Sequence, residues 1–202
     1  MTKIIGLTGR SGSGKGTAAA IFAKHGVPSI DTDAVYHGLL LQKGPCTEEL
    51  CAAFGDGILG TDGLVDRKKL SAAVFGKENS PALLHTLNSI THKYIMAKTH
   101  EIVLAHAKNG APAVLIDAPL LFEAGVQKDC DLVLGILAPR TVCAERITER
   151  DSISEDSAYL RLGAQHDNDF FRANCDVIIE NNGDLQSLER AICQFLKEHG
   201  IT

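Results

Sequence analysis

The sequence predicts an α/β fold in three layers, with a five-stranded parallel sheet between helices. Two observations carry that expectation. Short apolar runs alternate with helical patterns almost to the end of the chain, and each run leads into a turn or a helix start. The expected strands are 3–8, 27–31, 113–117, 132–137 and 177–180. Between the second and third, residues 34–110 read as helix throughout, with breaks at Gly44-Pro45, at 54–63 and near Ser80-Pro81. That stretch is too long for a mere connection. A second helical stretch, 139–173, separates the fourth strand from the fifth. A single domain over 1–202 is therefore expected, with a core of 1–33, 111–138 and 174–202, an insertion at 34–110 and a lid at 139–173.

Composition limits the function classes. A chain of 202 residues with 45% hydrophobic content and 6 prolines can build a substantial core. Its formal net charge of −5 gives no general attraction for nucleic acid or an anionic membrane, so any anionic ligand must be held locally. The N-terminal apolar run is too short for a signal peptide, and no stretch approaches the roughly 20 apolar residues of a membrane span. A cytoplasmic location is expected. The 6 cysteines form no C-x-x-C pair and are read as buried, reduced thiols.

The strongest chemical signal follows the first strand, in Gly9-Arg10-Ser11-Gly12-Ser13-Gly14-Lys15-Gly16-Thr17 before an alanine-rich helix. Strand, glycine-rich loop and helix stand in the order of a P-loop. Glycines at 9, 12 and 14 let successive N–H groups converge on phosphate oxygens, and the helix adds its positive N-terminal end. Lys15 supplies a compact positive charge. The residue after the lysine, usually a magnesium-binding Ser or Thr, is Gly16, so the hydroxyl falls on Thr17. The Gly-Lys-Gly-Thr order is similar to that of adenylate kinases and is compatible with ATP and Mg2+. Thr17 is the candidate metal contact, directly or through water.

Acidic residues cluster at the expected carboxyl edge of the sheet, where open α/β sheets bind ligands. Asp31 and Asp33 end the second strand. Either can accept a proton from an attacking hydroxyl or hold magnesium through water; Asp33 can equally be the N-cap of the helix after it. Asp117 ends the third strand in a Walker-B-like place, for magnesium held through water or for simple capping. In the second helical stretch, Arg146 and Arg150 are spaced to share one helix face, as are Arg161 and Gln165. Planar guanidinium groups match the charge of a transferring phosphoryl group, and a closing lid would exclude water. Interleaved Glu145, Glu149, Asp151 and Glu155 leave a solvated helix face as the other reading.

These stretches together resemble the dephospho-coenzyme A kinase family over almost the whole chain. The resemblance rests on the phosphate loop, Asp31-Thr32-Asp33, Phe54-Gly55-Asp56-Gly57, Asp62-Gly63-Leu64-Val65-Asp66-Arg67, Leu87 to His92, Pro119-Leu120-Leu121-Phe122-Glu123, the arginines with Gln165, and Asn181-Asn182-Gly183. It implies ATP-dependent phosphorylation of the ribose 3′-hydroxyl of dephospho-CoA, the last step of coenzyme A biosynthesis, in a P-loop core with a substrate-binding insertion and a lid. By position it makes Asp33, Lys15 and Arg146 catalytic. ATP falls to Ser11, Gly12, Ser13, Gly14, Lys15, Gly16 and Thr17 of the loop, with Arg150 and Asn181. The acceptor falls to Asp33, His92, Leu120 and Arg161. Two departures stand out: His92 is followed by Lys93 where the family usually has proline, and Phe171 takes a place that is often basic, with Arg172 next. Kinases of nucleoside monophosphates and GTPase switches are the alternatives; the chain lacks the adenylate-kinase substrate motifs and the Asn-Lys-x-Asp guanine motif.

Overall fold

The computed structural model describes residues 2–76 and 80–201. The chain divides into two compact units, one of residues 1–30 with 103–202 and one of residues 31–102. In the first, five strands form one sheet: β1 (Lys3–Thr8), β2 (Ser29–Asp31), β3 (Ala113–Asp117), β4 (Leu132–Leu137) and β5 (Val177–Glu180), in the order β2-β3-β1-β4-β5. The pairs β1·β3, β1·β4 and β4·β5 run parallel, as expected. Parallel strands are buried on both faces, which is why β3 and β4 read as unbroken apolar runs. Strands β1 and β4 are entered through carboxylates. Asp131 accepts from the Ile4 N–H at 2.8 Å and Asp176 from the Val133 N–H at 2.7 Å.

The second strand is shorter than the expected 27–31. Pro28 has no N–H to give a ladder, yet its carbonyl accepts from the Leu115 N–H at 2.8 Å, and Val27 is buried in the core rather than paired. Helix α1 (Lys15–Lys24) follows the phosphate loop and α9 (Leu185–Glu198) closes the chain. Asp184 caps α9 by accepting from the Ser187 N–H. Leu188, Ile192, Phe195 and Leu196 recur at helical spacing, so α9 presents one apolar stripe to Ile5, Leu7, Phe22, Leu134 and Ile136. Phe22 and Phe195 meet edge to face at 5.7 Å. Between β4 and β5 lie α6 (Arg140–Asp151), α7 (Glu155–Gly163) and α8 (Asn168–Asn174); α6 and α7 form a hairpin around Cys143, Ile147, Ala158 and Leu162. Ser152 turns that hairpin at φ 52, the one non-glycine residue with a positive φ among those described.

The second unit comprises α2 (Thr32–Leu40), α3 (Pro45–Phe54), α4 (Arg67–Phe75) and most of α5 (Pro81–Lys108), packed around Leu40, Leu50, Ile58, Leu70 and Ile90. Pro45 opens α3 and Pro81 opens α5, because a missing N–H is harmless in a first turn. The 54–63 break is more than a loop: a 3₁₀ turn at Asp56–Ile58 leads into an antiparallel bridge between Leu59 and Val65, a small β element that helical periodicity did not foretell. All six cysteines are free thiols. Cys46 and Cys143 are buried as expected, whereas Cys51, Cys130, Cys175 and Cys193 are only partly so.

Candidate active site

The loop between β1 and α1 starts from the strand whose two neighbours, β3 and β4, lead away in opposite directions, the point at which such sheets leave a crevice at their carboxyl ends. Gly9 (φ 137), Gly12 (φ 76) and Gly14 (φ 100) take left-handed conformations as the loop curls. Close backbone approach is equally demanding: a Cβ on Gly9 would lie 2.2 Å from the Ile136 carbonyl oxygen, and one on Gly12 would lie 2.4 Å from that of Cys143. Gly14 caps α1, so Lys15, Gly16 and Thr17 are its first three residues. Their N–H groups have no intrahelical acceptors and carry the positive end of the helix. Lys15 Nζ donates to the carbonyls of Gly9 at 2.8 Å and Arg10 at 3.4 Å, lying across the loop it serves. Thr17 is exposed on the first turn.

Two expected ligands of the nucleotide brace this loop. Asn181, at the end of β5 and nearly buried, donates from Nδ2 to the Ser13 carbonyl at 2.7 Å. Arg146, from α6, donates to the Gly12 and Ser13 carbonyls at 3.2 and 3.4 Å and to the Asn181 carbonyl at 3.4 Å. Both therefore support the backbone that would face phosphate, and Arg146 brings a permanent charge with it.

Arg150 and Arg161 are engaged elsewhere. Asp151 accepts from Arg150 Nε at 2.7 Å and Nη2 at 2.9 Å, and from Arg161 Nη1 at 2.6 Å, joining α6 to α7 at their tips. The hydrogen bond and charge of Arg150, with the charge of Arg161 beside it, hold the Asp151 carboxyl down at about 2. Arg161 and Gln165 do not share a helix face, because α7 ends at Gly163 and Ala164 caps it. Gln165 instead turns back to the phosphate loop, where its Oε1 accepts from the Ser11 N–H at 3.0 Å. Arg172 pairs with Asp169 and Glu180, while Phe171 is buried against Phe122, Phe170 and His166. The apolar Phe171 thus fills a packing role, and Arg172 is directed to β5.

Sequence reasoning passed over Arg10. It lies inside the phosphate loop, is only 7% exposed, and donates from Nη2 to the Leu162 carbonyl at 2.5 Å. Burial lowers its pKa; Cys143 and Asp167 oppose that shift and Arg140 adds to it. A charged side chain between two loop residues is read by default as solvated, and nothing local in the sequence reveals its partner. Leu120, in the turn after β3, is 58% exposed while Leu121 beside it is fully buried. Asp117 ends β3 in register with Leu7, one residue before the end of β1.

In the second unit, Asp31 is the N-cap of α2, accepting from the N–H groups of Asp33 at 2.8 Å and Ala34 at 3.1 Å. The capping role considered for Asp33 belongs to Asp31, which leaves the exposed Asp33 carboxylate in the first turn of α2. His92 lies half-buried within α5, and the helix runs on through Lys93, since lysine, unlike proline, keeps its N–H. Lys93 and Tyr94 both donate to Glu49 Oε2, at 2.5 and 2.8 Å. Among the described residues no group of three or more His, Cys, Asp or Glu side chains forms a metal cluster.

The chain is similar to known proteins in sequence and in fold. The sequence profile of the dephospho-CoA kinase family matches residues 3–187. The chain is 36% identical over 186 residues to the dephospho-CoA kinase of Anaeromyxobacter dehalogenans, spanning 92% of this chain and 87% of that one. Among solved structures, TT1252 from Thermus thermophilus is similar at a TM-score of 0.80 and 32% identity, covering 98% of this chain and 97% of the other. The dephospho-CoA kinase from Campylobacter jejuni is similar at a TM-score of 0.72 and 27% identity, covering 98% of each chain.

Proposed function

The chain belongs to the dephospho-CoA kinase family, and on that premise we propose that it transfers the γ-phosphoryl group of ATP to the ribose 3′-hydroxyl of dephospho-CoA, giving coenzyme A and ADP. The observation that carries the chemistry is the phosphate loop, which three left-handed glycines curl ahead of Lys15 and the N-terminus of α1. Phosphoryl transfer asks little covalent work of a protein, so positioning and electrostatics carry the catalysis.

The loop amides from Ser11 to Thr17 and Lys15 Nζ bind the β- and γ-phosphates in this reading, for which Lys15 leaves its carbonyl partners, the Ser11 N–H the Gln165 side chain and the Ser13 N–H the Arg10 carbonyl. Arg146 holds the loop carbonyls and adds positive charge where charge develops. Asn181 fixes the loop at the rim of the adenine site. Arg150 reaches ATP from the 139–173 lid, and the acceptor is bound by His92 of the 34–110 segment and by Arg161, with Leu120 contributing apolar contact. Asp33, left unengaged as a cap, orients the 3′-hydroxyl and takes its proton.

The oxygen donors at hand suit magnesium. Thr17 offers a hydroxyl and Asp117 a carboxylate, a sparse hard-oxygen set of the kind that leaves a hexahydrate most of its waters. These two would hold Mg2+, which would supply charge neutralisation at the phosphates. No helix among the described residues is long and apolar enough to cross a membrane, and the small-molecule substrates and thiol-rich composition favour the cytoplasm.

The test is ADP release with ATP and Mg2+, comparing dephospho-CoA with AMP, CMP, adenosine and water as acceptors. Release stimulated by dephospho-CoA alone, with coenzyme A identified by mass, is the expected result. Stimulation by a nucleoside monophosphate in place of dephospho-CoA would overturn the acceptor assignment and keep the P-loop kinase.

A further inference from the structure

The phosphate loop is bonded to the end of α7 at two adjacent residues. Arg10 donates from Nη2 to the Leu162 carbonyl in the last turn of α7, and Ser11 donates its N–H to Gln165 two residues beyond the helix. The Leu162 carbonyl already accepts from the Gln165 N–H at 3.3 Å, and the guanidinium adds a charge-assisted bond at the negative end of the helix. Leu162 is itself immobilised, fully buried against Cys143, Ile147 and Ala158 in the α6–α7 hairpin. The residue before it is Arg161, which shares Asp151 with Arg150. A continuous path therefore runs from the loop, through Arg10 and Leu162, to Arg161, Asp151 and Arg150.

Arg10 is poorly suited to be a structural anchor alone. Its guanidinium is 7% exposed, yet Nε has no hydrogen-bond partner among the described residues. The charged groups around it are opposed, Asp167 attracting and Arg140 repelling. We propose that Arg10 is a positioning residue that transmits the conformation of the phosphate loop to α7, so that filling the loop sets where the two exposed arginines, Arg161 and Arg150, stand. Movement of the Arg10 backbone as the loop closes on phosphate pulls the Leu162 carbonyl with it, because both ends of the link are buried. The substitution of choice removes that link without touching any group that meets the nucleotide. The kinase reading enters only in what the arginines act upon.

The experiment follows amide hydrogen exchange of Glu155–Gly163 in the full chain, with and without ATP and Mg2+, alongside calorimetric ATP affinity. In the wild type, ATP slows exchange across α7. In Arg10→Ala, ATP binds within about threefold of the wild-type affinity while the slowing in α7 is lost, and Arg10→Lys, which can still donate to the Leu162 carbonyl, restores part of it. In turnover with dephospho-CoA, Arg10→Ala lowers kcat about tenfold with the KM for ATP within about twofold, and adding Arg161→Ala lowers it little further, since both act on one path. Should Arg10→Ala fail to fold, Arg10→Met fills the same buried space without a donor to the Leu162 carbonyl, and the same loss of slowing is expected. ATP-dependent slowing in α7 that survives these substitutions, or is absent from the wild type, overturns the proposal. So do kcat losses that multiply in the double variant. Failure of dephospho-CoA to serve as acceptor sinks the kinase reading instead, and leaves the exchange result standing.

Discussion

Replacing Gly9 and Gly16 by alanine, one at a time, sets the same small change in two opposite environments. At Gly9 the backbone sits at φ 137, a conformation open to glycine and strained for any other residue, and the new methyl would meet the Ile136 carbonyl oxygen at 2.2 Å. Ordinary contact begins more than 1 Å farther out. The strained backbone costs about 1–3 kcal/mol, and overpacking against a strand that cannot retreat costs about 1–3 kcal/mol more. Taking about 3 kcal/mol for the sum, the melting temperature of a chain this size falls by roughly 6–12 °C. Displacement of the loop by about an ångström also lowers turnover by about a hundredfold. At Gly16, a Cβ meets nothing within 4 Å, and the residue lies inside α1. Alanine there relieves the entropic handicap of glycine and stabilises by roughly 0.5–1 kcal/mol. The chain has no tryptophan, so urea and thermal unfolding are followed by circular dichroism at the helix band, with ATP affinity measured by calorimetry. Equal stability of Gly9→Ala and wild type, or a shift of the two variants in the same direction, would refute the geometric reasoning.

Asp33→Ala is expected to lose most turnover, on the order of 10²-fold or more for a general base, while ATP affinity stays unchanged by calorimetry; near-wild-type kcat removes Asp33 from the proton-transfer role. Asp151 is expected to titrate with a midpoint of about 2 by NMR, well below an ordinary aspartate, because Arg150 and Arg161 favour its charged form. Since the folded value is the lower one, the stabilisation it gives is full above the unfolded value near 3.9 and is lost as pH falls toward about 2. In Arg150→Ala the midpoint rises, and an unmoved midpoint breaks the assignment. Cys130 and Cys175 are pushed up to about 12, first by burial and then by neighbouring aspartates. Neither is expected to react with a thiol reagent at pH 8 until the protein is unfolded in urea, as read by peptide mass.

Much of the framework was legible because it depends on local chemistry. All five strands were expected, because a strand buried on both faces has to be apolar along its length, and β1, β3, β4 and β5 appear at the expected residues. Only β2 was misjudged at its start, where Pro28 gives up a carbonyl but has no N–H to return. The phosphate loop was legible for the same reason: glycines at 9, 12 and 14 answer to backbone angles fixed within the segment itself. The departure after His92 was also visible, and the structure resolves it as unbroken helix because Lys93 can donate where proline cannot.

What the sequence left open are relations between side chains distant in the chain. Spacing alone could not tell that Asp31, and not Asp33, caps α2, since either carboxylate can reach free N–H groups of a first turn. It placed Arg161 and Gln165 on one helix face, whereas α7 stops between them and sends one to Asp151 and the other to Ser11. Periodicity reports which residues are buried, not which partners satisfy their polar atoms. The bonds from Arg146 and Asn181 to the loop, and from Arg10 to Leu162, cross more than a hundred residues and exist only once β1, α6, α7 and β5 have been brought to one end of the sheet. The sequence by itself determined where a glycine-rich loop would join the first strand to the first helix, because its backbone angles are written in nine consecutive residues. Tertiary structure decided which arginines are bound to the loop, which to a helix end and which to a shared aspartate, because a guanidinium takes the acceptor that folding places within reach.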